Sequence, residues 1–367
     1  MTHTILITGA SGYLGSAVSV DLASDHRVIG VYRREPCEKQ RLAAPNAFWE
    51  KGDIADDNCL RLIFRRYASK EKRIDYIIHF AAFTDYGEEW QDEYCDTNVI
   101  GTRNILKIAH EYGGVKRIIF ASSIAALRPP GAGGVLTEKS PACDDIAYAR
   151  SKAIGEKLLA RNAGRLPAVV LRIGGVFTDW CELPPLFSLM NAWTKSGIVG
   201  RLMPGTGETG FPFIHRRDIA SIVRRIIERN DRLDPFDTFF ASHDGWTSHS
   251  ELFPAIRRRS GPNRRAGPVS VSPRLAKLVL RGKYFCNTLR KRPTYERSWM
   301  VNYVDRPLAV DTAYTRETLN WKPTPQLHIL ERMPILMDHF MDSRAAWQLR
   351  NIRRNERQYL YEPDAAD

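Results

Sequence analysis

Nowhere in the 367 residues does an apolar run approach the roughly 18 residues that cross a bilayer, which excludes a membrane-spanning helix. A basic n-region and a cleavage site are also missing at the start, where the chain runs directly into a strand-like stretch. A cytoplasmic protein without a targeting segment is therefore expected, with peripheral contact at a membrane left open. The six cysteines, Cys37, Cys59, Cys95, Cys143, Cys181 and Cys286, form no C-x-x-C pair and have no histidine cluster nearby. That excludes a zinc framework and is expected of ordinary thiols in a reducing compartment. Internal repeats and low-complexity segments are absent too. Acid is almost missing from Ile256 to Arg297, where thirteen lysines and arginines face one glutamate, Glu296. This segment accounts for the whole net charge of +12, so the rest of the chain is balanced. With 43% hydrophobic and 26% charged residues, the composition is that of a globular protein able to bury a full core.

What is present starts at Thr4. Thr4-Ile5-Leu6-Ile7-Thr8 leads into Gly9-Ala10-Ser11-Gly12-Tyr13-Leu14-Gly15, and Ala17, Val18, Val20 and Leu22 follow with helical spacing. The order is strand, tight turn, helix. Gly9 permits the sharp turn, Gly12 lets backbone N–H groups approach a pyrophosphate, and Gly15 lets the helix pack close to the strand. Further on, strand patterns at Arg27–Tyr32, Asp75–Phe80, Lys116–Ala121 and Ala168–Arg172 alternate with helical patterns at Asp56–Ala68, Glu88–Tyr112 and Ile146–Ala163. Such alternation predicts an α/β fold, a Rossmann-type doubly wound parallel sheet. Residues 1–177 are read as the dinucleotide-binding domain, with 212–242 returning to it through a helix at Asp218–Asn230. Prolines multiply after Thr178, and 178–367 is read mainly as a substrate-binding part, with the basic segment 256–297 and a C-terminal helical tail at Met341–Leu360.

At the end of the second strand, where an acid would hold the ribose 2′-hydroxyl of NAD, stand Tyr32, Arg33 and Arg34. Two arginines there suit a 2′-phosphate, so NADP is expected, with NAD as the alternative. Tyr148 and Lys152 lie four apart, on one face of a predicted helix. A nearby ammonium favours the phenolate, which fits a tyrosine for general acid–base work on a carbonyl or alcohol. Ser122-Ser123 follows the strand Ile118-Ile119-Phe120-Ala121 at its carboxyl end, where ligands of parallel sheets bind.

In order, Gly9-x-x-Gly12-x-x-Gly15, Gly52-Asp53-Ile54, His79-Phe80-Ala81-Ala82, Asn98-Val99-Ile100-Gly101-Thr102, Ser122-Ser123, Tyr148-x-x-x-Lys152, Leu171-Arg172 and Phe213-Ile214-His215-x-x-Asp218 resemble the extended short-chain dehydrogenase/reductases, also called the epimerase/dehydratase family. The likeness runs from about Thr4 to Arg229. It implies that Tyr148 is the catalytic acid/base, that Lys152 lowers its pKa and binds the nicotinamide ribose, and that Ser123 holds the substrate oxygen. Asn98 resembles the residue that supports the proton network. Ser11, Tyr13 and Leu14 in the glycine turn, Asp53, Ile54, Phe80, Ala81 and Ala82, and Ile173 and Val176 after Leu171-Arg172 complete the implied cofactor set. No metal is implied, and His215 is given a structural role. A homodimer through the helices carrying Asn98 and Tyr148 is also implied.

Departures from the family bear on the reaction. Ile124-Ala125 stand where the dehydratases carry an Asp-Glu pair, so elimination of water lacks its acid and base. Ala126-Leu127-Arg128 replace a frequent Val-Tyr-Gly. Gly174-Gly175 and Phe211-Pro212 stand where nucleotide-sugar epimerases carry an asparagine and a diphosphate-gripping arginine. Trp180, Leu183, Leu186, Phe187, Met190, Trp193, Phe211 and Phe213 supply apolar neighbours, some of which must be core. The expected activity is thus an NADP-dependent interconversion of a carbonyl and a secondary alcohol on an apolar, steroid-, lipid- or polyketide-like substrate. A nucleotide-sugar epimerase with tightly bound NAD is the alternative. A non-catalytic cofactor-binding protein comes third, since it has no chemical need for Ser123, Tyr148 and Lys152 together. In the basic segment, Ser272-Pro273 opens a helix with Leu275, Leu278 and Val279 on one face and Arg274, Lys277 and Arg281 on another. It reads as a solvated face, a peripheral membrane surface or a dock for an acidic carrier protein; nucleic acid comes last, because aromatic platforms are lacking.

Overall fold

The alternating apolar runs form a seven-stranded parallel sheet at the centre of the computed structural model, which describes residues 2–68, 73–85, 87, 89–131, 133–143, 146–259, 266–278, 280, 282 and 298–355. In chain order its strands are β1 (Thr4–Thr8), β2 (Arg27–Tyr32), β3 (Phe48–Lys51), β4 (Tyr76–His79), β5 (Arg117–Ser123), β6 (Ala168–Ile173) and β7 (Phe236–Ala241). They lie side by side as β7-β6-β5-β4-β1-β2-β3. The chain winds from β1 outward to β3, then returns to pair β4 with β1, placing Thr8 beside His79. The crevice at this reversal, past the carboxyl ends of β1 and β4, is where open α/β sheets bind ligands.

Alternation of side chains along each strand builds two core layers. Ile5 and Ile7 pack with Val18 and Leu22 of α1 (Tyr13–Leu22) and with Ile222, Val223 and Ile226 beyond them. Leu6 points to the opposite layer, with Ile63, Phe64, Ile105, Ile108 and Leu159. Both faces are covered, hence the unbroken apolar runs rather than apolar/polar alternation. A Leu6→Ala change in such a layer costs about 2–5 kcal/mol. The remaining helices are α2 (Glu38–Ala43), α3 (Asp57–Tyr67), α4 (Gly101–Tyr112), α5 (Ala147–Asn162), α6 (Pro184–Trp193), α7 (Arg216–Glu228), α8 (His249–Arg258), α9 (Ala313–Leu319), α10 (Ile329–Asp342) and α11 (Arg344–Asn355). Of these, α6, α8, α10 and α11 share a third core around Trp193, Phe253, Met337 and Trp347.

Several elements depart from the sequence pattern. The segment expected as a helix over Glu88–Tyr112 is helical from Asp92, with a π-helical segment Tyr94–Ile100 that runs into α4; Glu88 lies outside the described residues. β3 was not read because an edge strand has little to bury: Phe48 and Lys51 are exposed. The tail expected as a helix over Met341–Leu360 breaks at Ser343, between α10 and α11, and its last residues, 356–360, lie outside the described residues. His215 caps α7, its Nδ1 accepting from Arg217 N at 3.3 Å. Residues 273–278 are helical as expected; Val279, Arg281, Cys286 and most of the basic segment beyond them lie outside the described residues. No helix among the described residues is long and apolar enough to cross a membrane.

Candidate active site

The glycine turn is closed by two close approaches. Gly9 has φ of +67°, and a Cβ there would stand 2.8 Å from Ala81 N; a Cβ on Gly15 would stand 2.1 Å from Gly9 O. Gly12 precedes the first turn of α1, which opens onto a cavity of about 1210 Å³. Backbone N–H groups and the positive end of the helix dipole face a bound anion there, so the turn fits the pyrophosphate of a dinucleotide. Ser11 Oγ donates to Arg34 O at 2.6 Å and Tyr13 OH to Val176 O at 3.3 Å, tying the turn to the end of β2 and the loop after β6.

The cavity brings together every predicted cofactor residue: Gly9, Ser11, Gly12, Tyr13, Leu14, Gly15, Arg33, Arg34, Asp53, Ile54, Phe80, Ala81, Ala82, Ile173 and Val176 all line it. Arg33 Nη1 stands 3.7 Å from the Asp53 carboxylate, with 66% and 41% of the two side chains exposed. Asn104 Nδ2 donates to Ile54 O and Ala55 O, both at 3.0 Å, and fixes the loop that presents Ile54.

Ser123, Tyr148 and Lys152 line the same cavity further along. Ser122 Oγ donates to Glu156 Oε1 at 2.5 Å, inside a buried ion pair in which Arg172 Nη2 meets Glu156 Oε2 at 2.8 Å. Ser123 Oγ instead accepts from Ala125 N at 3.1 Å, a bond that leaves its own proton to donate. Tyr148 is half-buried on α5 and packs beside Phe83, Tyr94 and Ala147. Lys152, one turn on and 4% exposed, donates from Nζ to Ala121 O at 2.8 Å and sits over the Phe120 ring. Burial pushes its ammonium down to about 8, against the opposing pull of Glu156.

Asn98 is set apart from the other predicted residues: it does not line the cavity. Its Nδ2 donates to Phe83 O and to Ser151 Oγ, both at 2.9 Å, while its Oδ1 accepts from Phe83 N at 2.7 Å. It joins the loop after β4 to the helix that carries Tyr148. A second chain of bonds ends at the same residue. Thr102 Oγ1 donates to Asn98 O at 2.6 Å, which leaves it to accept from His79 Nε2 at 3.0 Å; His79 Nδ1 then accepts from Thr8 Oγ1 at 2.7 Å. Full burial pushes His79 down to about 3, so it is neutral and structural.

Packing sorts the apolar candidates. All eight belong to the third core or pack against it, but only Leu183, Trp193 and Phe211 also line the cavity; Leu186, Met190 and Phe213 are buried within the core, and Trp180 and Phe187 pack against it. Two features were not read from the sequence. Ala276, Leu280, Met300, Val301 and Leu308 complete the far wall. Glu182 also lines it, in a turn where Cys181 and Glu182 both have positive φ, at +76° and +51°. Thr178 Oγ1 donates to Glu182 Oε2 at 3.0 Å, Arg350 pairs with the other carboxylate oxygen, and Asn351 Oδ1 accepts from Glu182 N at 2.7 Å. Arg350 and Asn351, 168 and 169 residues further along the chain, leave no local signal.

A pyrophosphate cradle at the first βα turn, opening on two hydroxyls and a buried lysine at the carboxyl edge of a parallel sheet, defines an NAD(P)-dependent enzyme of the extended short-chain dehydrogenase/reductase type. The chain belongs to the NAD dependent epimerase/dehydratase family, whose model matches residues 5–240. It is 28% identical over 225 residues to the sterol demethylase protein B of Methylococcus capsulatus, a match covering 60% of this chain and 64% of that protein. It is 25% identical over 344 residues to the UDP-glucose 4-epimerase of Lacticaseibacillus casei, covering 87% of this chain and 96% of that one. In fold it is similar to the dTDP-glucose 4,6-dehydratase of Bacillus anthracis, solved in complex with NAD, with a TM-score of 0.68 at 18% identity over 95% of this chain and 99% of that one.

Proposed function

We propose that the chain is an NADP-dependent oxidoreductase that interconverts a carbonyl and a secondary alcohol on an apolar substrate. The observation that carries the apolar substrate is the Phe211 ring lying on Gly175: a Cβ there would stand 2.3 Å from the ring, and one on Gly174 would stand 2.7 Å from Pro212 O. No side chain able to grip a sugar or diphosphate fits at either glycine. Leu183, Trp193 and Leu308 continue the apolar wall, and similarity to a sterol demethylase protein supports the same substrate class.

In this reading Ser123 donates to the substrate oxygen and Tyr148 gives that oxygen its proton on reduction or removes it on oxidation. The Lys152 ammonium, held on Ala121 O, stabilises the phenolate left on Tyr148. A bound nicotinamide supplies or accepts the hydride. Arg33 and Arg34, at the adenosine end, meet the 2′-phosphate of NADP. Asn98 positions α5 through Ser151, and the homodimer packs through the helices bearing Asn98 and Tyr148.

A second reading, a nucleotide-sugar epimerase that recycles NAD in place, is favoured by the similarity to UDP-glucose 4-epimerases and by Arg306 and Lys195 on the cavity wall, where they would meet a diphosphate. Mass identification of any nucleotide released on denaturation, followed by NADPH and NADH titration of the emptied protein, separates the two. The first reading expects an empty or NADP-bearing protein that prefers NADPH and reduces a sterol-like ketone, with Tyr148→Phe slowing turnover by about 10²–10⁴-fold. Retained NAD together with turnover of a UDP-sugar overturns it.

A further inference from the structure

The short helix at 273–278 is apolar on two opposite sides. At 100° per residue, Ala276 and Leu280 share one side and Leu275 and Leu278 the other. The first pair lines the cavity. The second faces out, with Leu275 51% and Leu278 68% exposed. Arg274 and Lys277 flank those leucines in sequence and are also solvent-accessible. A facing segment has the same character: Val199 lines the cavity yet is 54% exposed, Ile198 beside it is 61% exposed, and Lys195 and Arg201 flank them. The two segments are joined. Strand Leu202–Pro204 pairs with Val269–Val271, and Arg201 Nε donates to Gly267 O at 2.8 Å. Residues 194–204 and 266–282 contain no aspartate or glutamate.

From this arrangement we infer that the cavity rim formed by Ile198, Val199, Leu275 and Leu278 docks on an anionic lipid surface, from which an apolar substrate enters directly. Four aliphatic side chains among cations, with no acid in either segment, match an interfacial surface rather than a patterned protein interface: the chains insert and the cations meet headgroup phosphates. The inference rests on the apolar-substrate reading for its purpose but not for its test.

The test is co-sedimentation of the full chain with phosphatidylcholine vesicles, with and without phosphatidylglycerol. Binding is expected to the anionic vesicles, weaker to neutral ones and reversed by salt. The double variant Leu275→Asp/Leu278→Asp is expected to lose at least about tenfold in partitioning, while Leu62→Asp, at an exposed leucine on α3, keeps it. Unchanged nucleotide affinity in both variants establishes that the fold is intact. A wild-type chain that ignores anionic vesicles at low salt, or a double variant that partitions like wild type, overturns the inference. Retention on immobilised polyglutamate without vesicle binding reassigns the rim to an acidic protein and overturns it as well. Because no substrate is present, a failure here leaves the apolar-substrate reading standing, and binding can hold even where turnover proves to be on a nucleotide sugar.

Discussion

Ser122 and Ser123 are consecutive on β5 and both line the cavity, yet their hydroxyls serve different structures: Ser122 Oγ donates its proton to the buried Glu156 carboxylate at 2.5 Å, while Ser123 Oγ accepts from Ala125 N and keeps its own proton to donate. Strand alternation separates them. Ser122→Ala is expected to cost about 1.5–3 kcal/mol of stability, since a hydrogen bond to a charged, buried group is lost, and to leave turnover near wild type. Ser123→Ala is expected to slow turnover by about 10²–10³-fold with little change in stability. Urea unfolding and steady-state rates on the two variants check this; a reversed pattern would transfer the role of oxygen holder to Ser122.

Lys152 sets stability against activity. Its folded-state value of about 8 lies below the unfolded 10.5, so burial disfavours the charged form. Below about pH 8 both states hold the proton and the full cost of the buried charge is present; between the two values only the unfolded chain holds it, and stability from this group rises with pH. Lys152→Met is therefore expected to be more stable than wild type at neutral pH by about 1–3 kcal/mol, less the bond to Ala121 O, with the gap narrowing as the pH rises past the folded-state value. Turnover should fall by about 10²–10⁴-fold. Paired unfolding curves across alkaline pH test the sign; a variant less stable than wild type at neutral pH would refute it.

Arg33 and Arg34 report cofactor choice. The Arg33 guanidinium now leans toward Asp53 at 3.7 Å, a solvent-exposed contact that a phosphate can displace. Arg33→Ala/Arg34→Ala should weaken NADPH binding by about 10–100-fold and leave NADH binding nearly unchanged. Asp53→Asn keeps an acceptor for Ala55 N and should strengthen NADPH binding up to about fivefold. Titrations at low and high salt check both, since only the phosphate contact is strongly screened.

Much of this site was legible because local rules fix it. Three glycines at three-residue spacing define a turn by sterics alone, and buried parallel strands announce themselves as apolar runs. Long-range packing decides the rest. Leu183 and Leu186 belong to one apolar stretch and to one core, but only Leu183 also reaches the cavity. Arg257 counts in the sequence as part of a basic surface, yet it is 5% exposed and donates to Trp193 O and Gly200 O at 3.0 and 2.9 Å, holding up the cavity rim. Asn98 was read near the chemistry, whereas its bonds go to Phe83 and Ser151, a connection visible only once β4 and α5 are side by side.

The C-terminal helix bears on the cavity through one residue. Asn351, 1% exposed on α11, accepts from Glu182 N at 2.7 Å and donates to Trp180 O at 2.8 Å, holding the turn at Cys181 and Glu182. Two consecutive non-glycine residues at positive φ cost on the order of 1–3 kcal/mol each, so the turn persists only while such contacts over-determine it. Asn351→Ala leaves the Glu182 N–H and the Trp180 carbonyl unpaired in the interior and is expected to cost about 2–4 kcal/mol. Leu183 and Pro184, which follow the turn, line the cavity and should shift with it. Substrate KM is expected to rise several-fold while nucleotide affinity, set at the opposite end of the cavity, stays constant. Equal losses of substrate and nucleotide affinity would mean instead that the helix supports the fold as a whole, with no particular hold on the substrate wall.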